Sequence, residues 1–248
     1  MGNYILVIVL GIMIGSFLNR CIYRIPNGES IWISKSCCTT CGQVLSNLES
    51  IPVLSYLVLG GRCKHCKSKV STHYIGIGLL TGASFGIVYY RFGASMETVL
   101  GCTFVSFAIV LAMIDWDEMI LPTSIIRWGI GVGCMGQILQ AKVMDNYLGL
   151  VDALMGAIVG YLLLALVFYC SKWLLKKEGM GYGDVRFMGM IGLFVGLHTL
   201  FLSLLFSSVL ASIYGIILLK IKKKSEPYPL GHFLSIGGVL VFLWGNNL

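Results

Sequence analysis

Charge is what this sequence has least of. Of its 248 residues only 12% are charged, while 57% are hydrophobic. A soluble globular chain carries about 25% charged residues. A domain of this size also has too much surface to hide so large an apolar share from water. The scarcity excludes a soluble enzyme, a disordered chain, a coiled coil and a small secreted disulfide scaffold. Alternation of period two is missing as well, which excludes a membrane β-barrel. What remains is an all-α polytopic membrane protein, whose backbone polar groups are satisfied inside helices. The 31 glycines fit that class, because small residues let membrane helices approach closely.

Apolar stretches of membrane-crossing length are expected near 4–19, 75–92, 97–114, 121–141, 148–172, 186–198, 200–219 and 231–246. The stretch 186–219 is broken only by a polar dimple at His198–Thr199, so about eight transmembrane helices are expected, with seven as the fallback. Of the 18 basic residues, all but Arg91 and Lys142 fall on one side of an eight-span topology. Basic residues stay cytoplasmic, so 20–73 is expected in the cytoplasm and both termini outside. A secretory signal is not expected at the start. Tyr4–Leu18 has no basic residue before it, has two arginines soon after, and is followed by no small-x-small cleavage site. The net charge of +7 is explained by topology, so no nucleic-acid partner is expected.

Residues 20–73 form the one extramembrane segment large enough to fold, and about fifty residues build a weak core unaided. Cys38-Thr39-Thr40-Cys41 and Cys63-Lys64-His65-Cys66 are two C-x-x-C pairs inside it. Two such knuckles close a tetrahedral four-cysteine zinc site, and structural zinc contributes about 10–16 kcal/mol of apparent folding energy in small peptides. The alternatives are a disulfide, disfavoured in the cytosol, and a redox dithiol, for which no βαβ pattern is present. Cys37 is a second-ranked substitute for Cys38. Cys102, Cys134 and Cys170 lie in apolar spans and read as small buried hydrophobes.

Eleven acids are few enough to audit singly. Most fall in loops or on the external side, and Asp152 reads as a helix-start acid. Asp115, Asp117 and Glu118 stand at the inner end of the third span, and Asp184 at the start of the sixth. Asp184 closes Gly179-Met180-Gly181-Tyr182-Gly183-Asp184, a turn whose glycines permit close approach of another segment. A carboxylate where an anion would lie argues against a phosphate cradle. Two carboxylates at one membrane face form either an aspartyl pair sharing a proton or part of an ion or proton pathway.

Five motifs in order resolve the choice. They are Gly15-Ser16-Phe17-Leu18-Asn19-Arg20-Cys21 with Ile25-Pro26; Ser50-Ile51-Pro52-Val53-Leu54-Ser55-Tyr56-Leu57 between the cysteine pairs; Asp115 with Pro122 seven residues later; Gly181-Tyr182-Gly183-Asp184; and Pro227-Tyr228-Pro229-Leu230-Gly231-His232. Together they resemble the type IV prepilin peptidases, bifunctional leader peptidase/N-methyltransferases. The resemblance implies a bacterial cytoplasmic-membrane aspartic endopeptidase with Asp115 and Asp184 catalytic and Gly181, Gly183 and Pro122 supporting them. It implies prepilin or pseudopilin substrates of a type IV pilus, secretion or competence system, met beside membrane lipid. It also implies N-methylation of the new amine by S-adenosylmethionine. Asp117 is set aside, since two helical positions rotate it about 200° from Asp115.

The expected domains are a first transmembrane helix at 1–19, a cytoplasmic four-cysteine zinc-binding domain at 20–73 and a transmembrane aspartyl peptidase domain at 74–248. Three positions depart from the family pattern: after Tyr74, Ile75 and Gly78 stand where a Pro and a Glu are common, and Thr39 stands where a Pro is usual. No Rossmann-type glycine loop marks a cofactor site. A peptidase without methyl transfer, or a transporter using Asp115 and Asp184, are the alternative readings. The transporter predicts internal repeats and a midplane site, and neither is visible.

Overall fold

The structure, a computed structural model, describes residues 2–30, 41, 65–68, 72–175, 180–222 and 228–245. Cys37, Cys38 and Cys63 lie outside the described residues. Eight α-helices and no strand occur among the described residues. They are α1 (Gly2–Arg24), α2 (Thr72–Phe92), α3 (Met96–Glu118), α4 (Thr123–Met144), α5 (Tyr147–Leu175), α6 (Tyr182–Val195), α7 (Leu197–Lys222) and α8 (Leu230–Trp244). They match the expected stretches in order and position.

Five of them, α1, α2, α3, α5 and α7, are long and apolar enough to cross a membrane. Polar Arg127, Gln137, Gln140 and Lys142 dilute α4. The 14 residues of α6 and 15 of α8 rise only about 21 and 23 Å, short of the roughly 30 Å hydrocarbon core. The coarse reading of a multi-pass membrane protein therefore stands on five helices.

The chain divides into two compact units, Met1–Gly93 and Ala94–Leu248. In the first, α1 packs along α2. Gly11 and Gly15 face Gly82 and Gly78, a G-x-x-x-G on each helix. A Cβ built on Gly11 would lie 2.8 Å from the Gly82 Cα, and one on Gly15 2.8 Å from the Gly78 Cα. Bare backbone on both sides is what lets the helices meet.

The second unit is arranged around α6. Val185, Phe187, Met188, Met190, Ile191 and Leu193 are all buried, so this helix is apolar all round and enclosed by protein. It packs most extensively against α5, then against α4, α8, α7 and α3. Glycines at three of these crossings make room: Gly129 and Gly133 of α4 face Met190 and Leu193, Gly156 of α5 faces Gly192, and Gly238 of α8 faces Ile191. The far end of α6 is sealed by polar groups. Gln137 Nε2 donates to the Leu193 carbonyl at 3.0 Å, one of the carbonyls a helix end leaves unpaired.

The break between α6 and α7 falls at Gly196, whose φ of +78° suits glycine, and not at the His198–Thr199 dimple. Asp152 corrects another expectation. It lies on α5 beyond the first turn, meets His198 Nδ1 at 2.6 Å and occupies the space where Gly196 would carry a Cβ. It therefore seals this break. Cys170 is exposed on α5, and Cys102 and Cys134 are half-buried, so these thiols are less enclosed than expected.

The α1–α2 crossing yields a prediction. Gly15→Leu should lower stability by about 1–3 kcal/mol through overpacking, read as an earlier thermal unfolding transition in detergent. Gly76, with nothing within 4 Å of a built Cβ, is the control. Gly76→Leu should melt like the parent, and equal melting of both variants would contradict the close crossing.

Candidate active site

Both singled-out aspartates are buried, Asp115 at 5% and Asp184 at 6% relative exposure. Asp115 lies in the last turn of α3, and its backbone carbonyl accepts the Met119 N–H at 3.0 Å. Met119 takes φ +54°, so α3 ends in a left-handed turn at a residue other than glycine. The chain then passes through Ile120 and Leu121 to Pro122, which precedes α4. Proline suits that place because its fixed φ fits and a helix start needs no N–H there. The Pro122 carbonyl accepts from Ile125 at 3.1 Å and Ile126 at 3.4 Å. The seven-residue spacing from Asp115 to Pro122 is thus a helix end, a tight turn and a helix start.

Asp184 is the third residue of α6, and Gly181 is its N-cap, with no side chain to offer. Asp184 supplies the missing half. Its carboxyl accepts the Gly181 N–H, while its own N–H donates to the Gly181 carbonyl at 3.1 Å. This is the N3-to-N-cap half of a capping box, made by an aspartate. Asp184 Oδ1 is buried and has no hydrogen-bond partner among the described residues.

Asp115 makes a corresponding contact with α8. That helix opens on Pro229, which makes no side-chain cap bond. The N–H of His232 donates to Asp115 Oδ2 at 3.0 Å, and the Gly231 N–H donates to the same carboxyl. Asp115 therefore caps a helix distant in sequence, where first-turn amides and the helix dipole favour an anion. The His232 ring is fixed over α3, with Nδ1 3.3 Å from the Ala112 carbonyl and its centroid 4.9 Å from that of Trp116.

Leu121 joins the two carboxyls. A Cβ on Gly183 would fall 2.8 Å from the Leu121 Cβ. One on Gly231 would fall 2.9 Å from the Leu121 Cδ1 and 3.0 Å from Asp115 Oδ2. Both helix starts thus press on one turn. Asp117 and Glu118 are exposed and outside this cluster. Gly231, His232 and Leu121 were not singled out as site residues. The motif at 227–232 was their one signal, since an amide donor leaves no trace in residue type.

Two family profiles match the chain. The bacterial peptidase A24 N-terminal domain matches residues 9–92, and the type IV leader peptidase family matches 102–216. A prepilin leader peptidase/N-methyltransferase of Pseudomonas putida is 35% identical over 97% of this chain and 90% of its own. One from Neisseria gonorrhoeae is 32% identical over 97% and 90%. One from Myxococcus xanthus is 37% identical over 88% and 64%. No solved structure matches the chain.

The packing at the turn is open to test. Gly183→Ala and Gly231→Ala should each lower the unfolding temperature, because Leu121 must shift; overpacking of this kind costs about 1–3 kcal/mol. Gly131→Ala on α4, which meets open space, should leave it unchanged. Unchanged melting of Gly183→Ala and Gly231→Ala would mean that Leu121 is not held between the two helix starts.

Proposed function

The chain belongs to the type IV leader peptidase family, and on that premise we propose that Asp115 and Asp184 are its catalytic pair. The protein cleaves the leader from type IV prepilins or pseudopilins and methylates the amine that cleavage exposes. The observation that supports the site assignment is that both aspartates are buried at helix ends bordering the Leu121 turn, and that Asp184 Oδ1 has no partner among the described residues. Close carboxylates do not both ionise readily, so the pair holds one proton between them.

One carboxylate takes a proton from an attacking water while the other carboxyl donates to the scissile carbonyl. Collapse of the tetrahedral centre breaks the C–N bond, and the amine leaves with a proton from the pair. The new N-terminal amine is then the group methylated, with S-adenosylmethionine as donor. Gly181, Gly183 and Pro122 act by shape, as the N-cap, the close approach to Leu121 and the start of α4. A transporter reading fits less well, because both acids stand at helix ends and not at mid-helix.

The same reading makes the protein an eight-span bacterial cytoplasmic-membrane enzyme with its active site and 20–73 on the cytoplasmic side. It divides the chain into a first transmembrane helix at 1–19, a four-cysteine zinc-binding domain at 20–73 and a peptidase domain at 74–248. Sixteen of the 18 basic residues support that orientation. Zinc would be held by Cys38, Cys41, Cys63 and Cys66 and would supply folding energy to the loop. Cys41 and Cys66 are exposed, and Lys67 takes φ +55°, which turns the chain after Cys66. No cluster of three ligating groups occurs among the described residues, and Cys38 and Cys63 lie outside them.

In co-expression with a prepilin, Asp115→Asn and Asp184→Asn should each reduce leader removal by at least about 10²-fold, the low end for loss of an acid–base group. Mass spectrometry should then find the leader intact and no methylated N-terminus. Continued cleavage by both variants would end the aspartyl assignment. For the loop, the purified wild type should carry about one zinc per chain, as a four-thiolate site binds a single ion, and Cys63→Ser should lose it. Equal metal content in the two proteins would remove zinc from the account.

A further inference from the structure

One feature of the second unit lies outside the carboxyl pair. A groove of about 600 Å³ opens between α4 and α5 with Gly189 of α6 on its wall. Ile126 and Ile130 line it from α4, and Ala157, Ile158 and Leu162 from α5. A volume of this size falls within the range of about 300–1,000 Å³ that holds drug-sized apolar ligands. Ile158 and Leu162 are exposed on α5, a helix of membrane-crossing length, so the groove faces acyl chains.

Its lining also includes two guanidinium side chains, Arg127 and Arg186. Each is the fifth residue of its helix, α4 and α6, and so stands little more than one turn from a helix start. Arg186 donates to Thr123 Oγ1 at 2.7 Å and lies 4.8 Å over the Tyr182 ring, contacts that orient the guanidinium without neutralising it. Arg127 is exposed. Neither pairs with a carboxylate among the described residues. α4 starts at Thr123 with no side-chain cap, leaving first-turn amides and the positive end of its dipole at the same level.

Two uncompensated cations and an uncapped helix start at the mouth of an apolar groove suit an amphiphile with an anionic head. We infer that this groove seats an anionic phospholipid, its phosphate held by Arg127 and Arg186 and an acyl chain lying between α4 and α5. Basic pockets between membrane helices bind anionic headgroups in this way, and Arg stems reach to the headgroup level while their methylenes stay in the apolar layer. Neither Asp115 nor Asp184 lines the groove, and the inference does not depend on the peptidase reading.

The test uses the full chain in nanodiscs containing equal phosphatidylglycerol and phosphatidylcholine, with lipid retained after delipidating washes counted by native mass spectrometry. Wild type should retain phosphatidylglycerol in preference. Arg127→Gln should weaken that retention about fivefold, the scale of one basic residue at an anionic lipid surface, and Arg127→Lys should restore it. Ile158→Trp should fill the groove and reduce retention with both arginines present, whereas inorganic phosphate should not displace the lipid, because it lacks the chain. Equal retention of the two lipids would overturn the inference, as would indifference to both Arg127→Gln and Ile158→Trp. Displacement of the lipid by phosphate alone would reduce the site to an ion site and overturn it too.

Discussion

Three helices, α4, α6 and α8, begin without a capping side chain, and the site follows from how the starts of α6 and α8 are completed. α6 begins after Gly181 and α8 after Pro229. A helix start leaves amides unpaired, and a buried unpaired amide costs about 1–3 kcal/mol. α6 answers with its own third residue, Asp184, and α8 with Asp115 from the end of α3. Each carboxyl is thereby fixed to a helix start. The requirement is met only if three elements meet at one turn, which is why Gly183 and Gly231 both press on Leu121.

That arrangement explains the form of α6. A helix that carries a carboxyl at its start to a point shared by α3 and α8 must run through the middle of the unit. It is therefore enclosed by protein along most of its surface, apart from the side at Arg186 and Gly189 that borders the α4–α5 groove, and can be shorter than a membrane crossing. Its polar ends are both met by the chain. Gln137 accommodates the Leu193 carbonyl, and Asp152 and His198 close the turn at Gly196. Glycines along α4, α5 and α8 provide the close approach, in a setting where apolar surface alone gives helices no reason to prefer one another over lipid.

Much of this was legible because charge is so sparse. With eleven acids in the chain, Asp115 and Asp184 stood out, and the order of the motifs joined them before any geometry was known. Eight apolar stretches matched eight helices for the same reason. The parts that sequence did not yield are those made by backbone. The amides of Gly231 and His232 that hold Asp115 have no residue signature. The α6–α7 break follows a left-handed glycine at Gly196, while the more conspicuous polar pair at His198–Thr199 belongs to the next helix. Asp152 was read as a first-turn acid because helix-start acids are common, whereas its partner is 46 residues away. A long-range pair of that kind is visible only when α5 and α7 are placed side by side.

The two carboxyls are not equivalent in their surroundings, and this bears on how the proposed pair would divide its work. Asp115 has an oxygen committed to the amides of α8, so its position is tied to a helix start that cannot move without uncovering those amides. Asp184 spends one contact on Gly181 and keeps Oδ1 without a protein partner among the described residues. A buried polar atom left in that condition is rare in native structures, and at a reacting centre it is what a water or a peptide carbonyl needs to find. The division that follows is an anchored carboxyl on Asp115 and an available oxygen on Asp184. Glycine at 181 serves the same end. It gives α6 a start with no competing side chain, leaving Asp184 to complete its own helix and keep one oxygen free for the proposed chemistry.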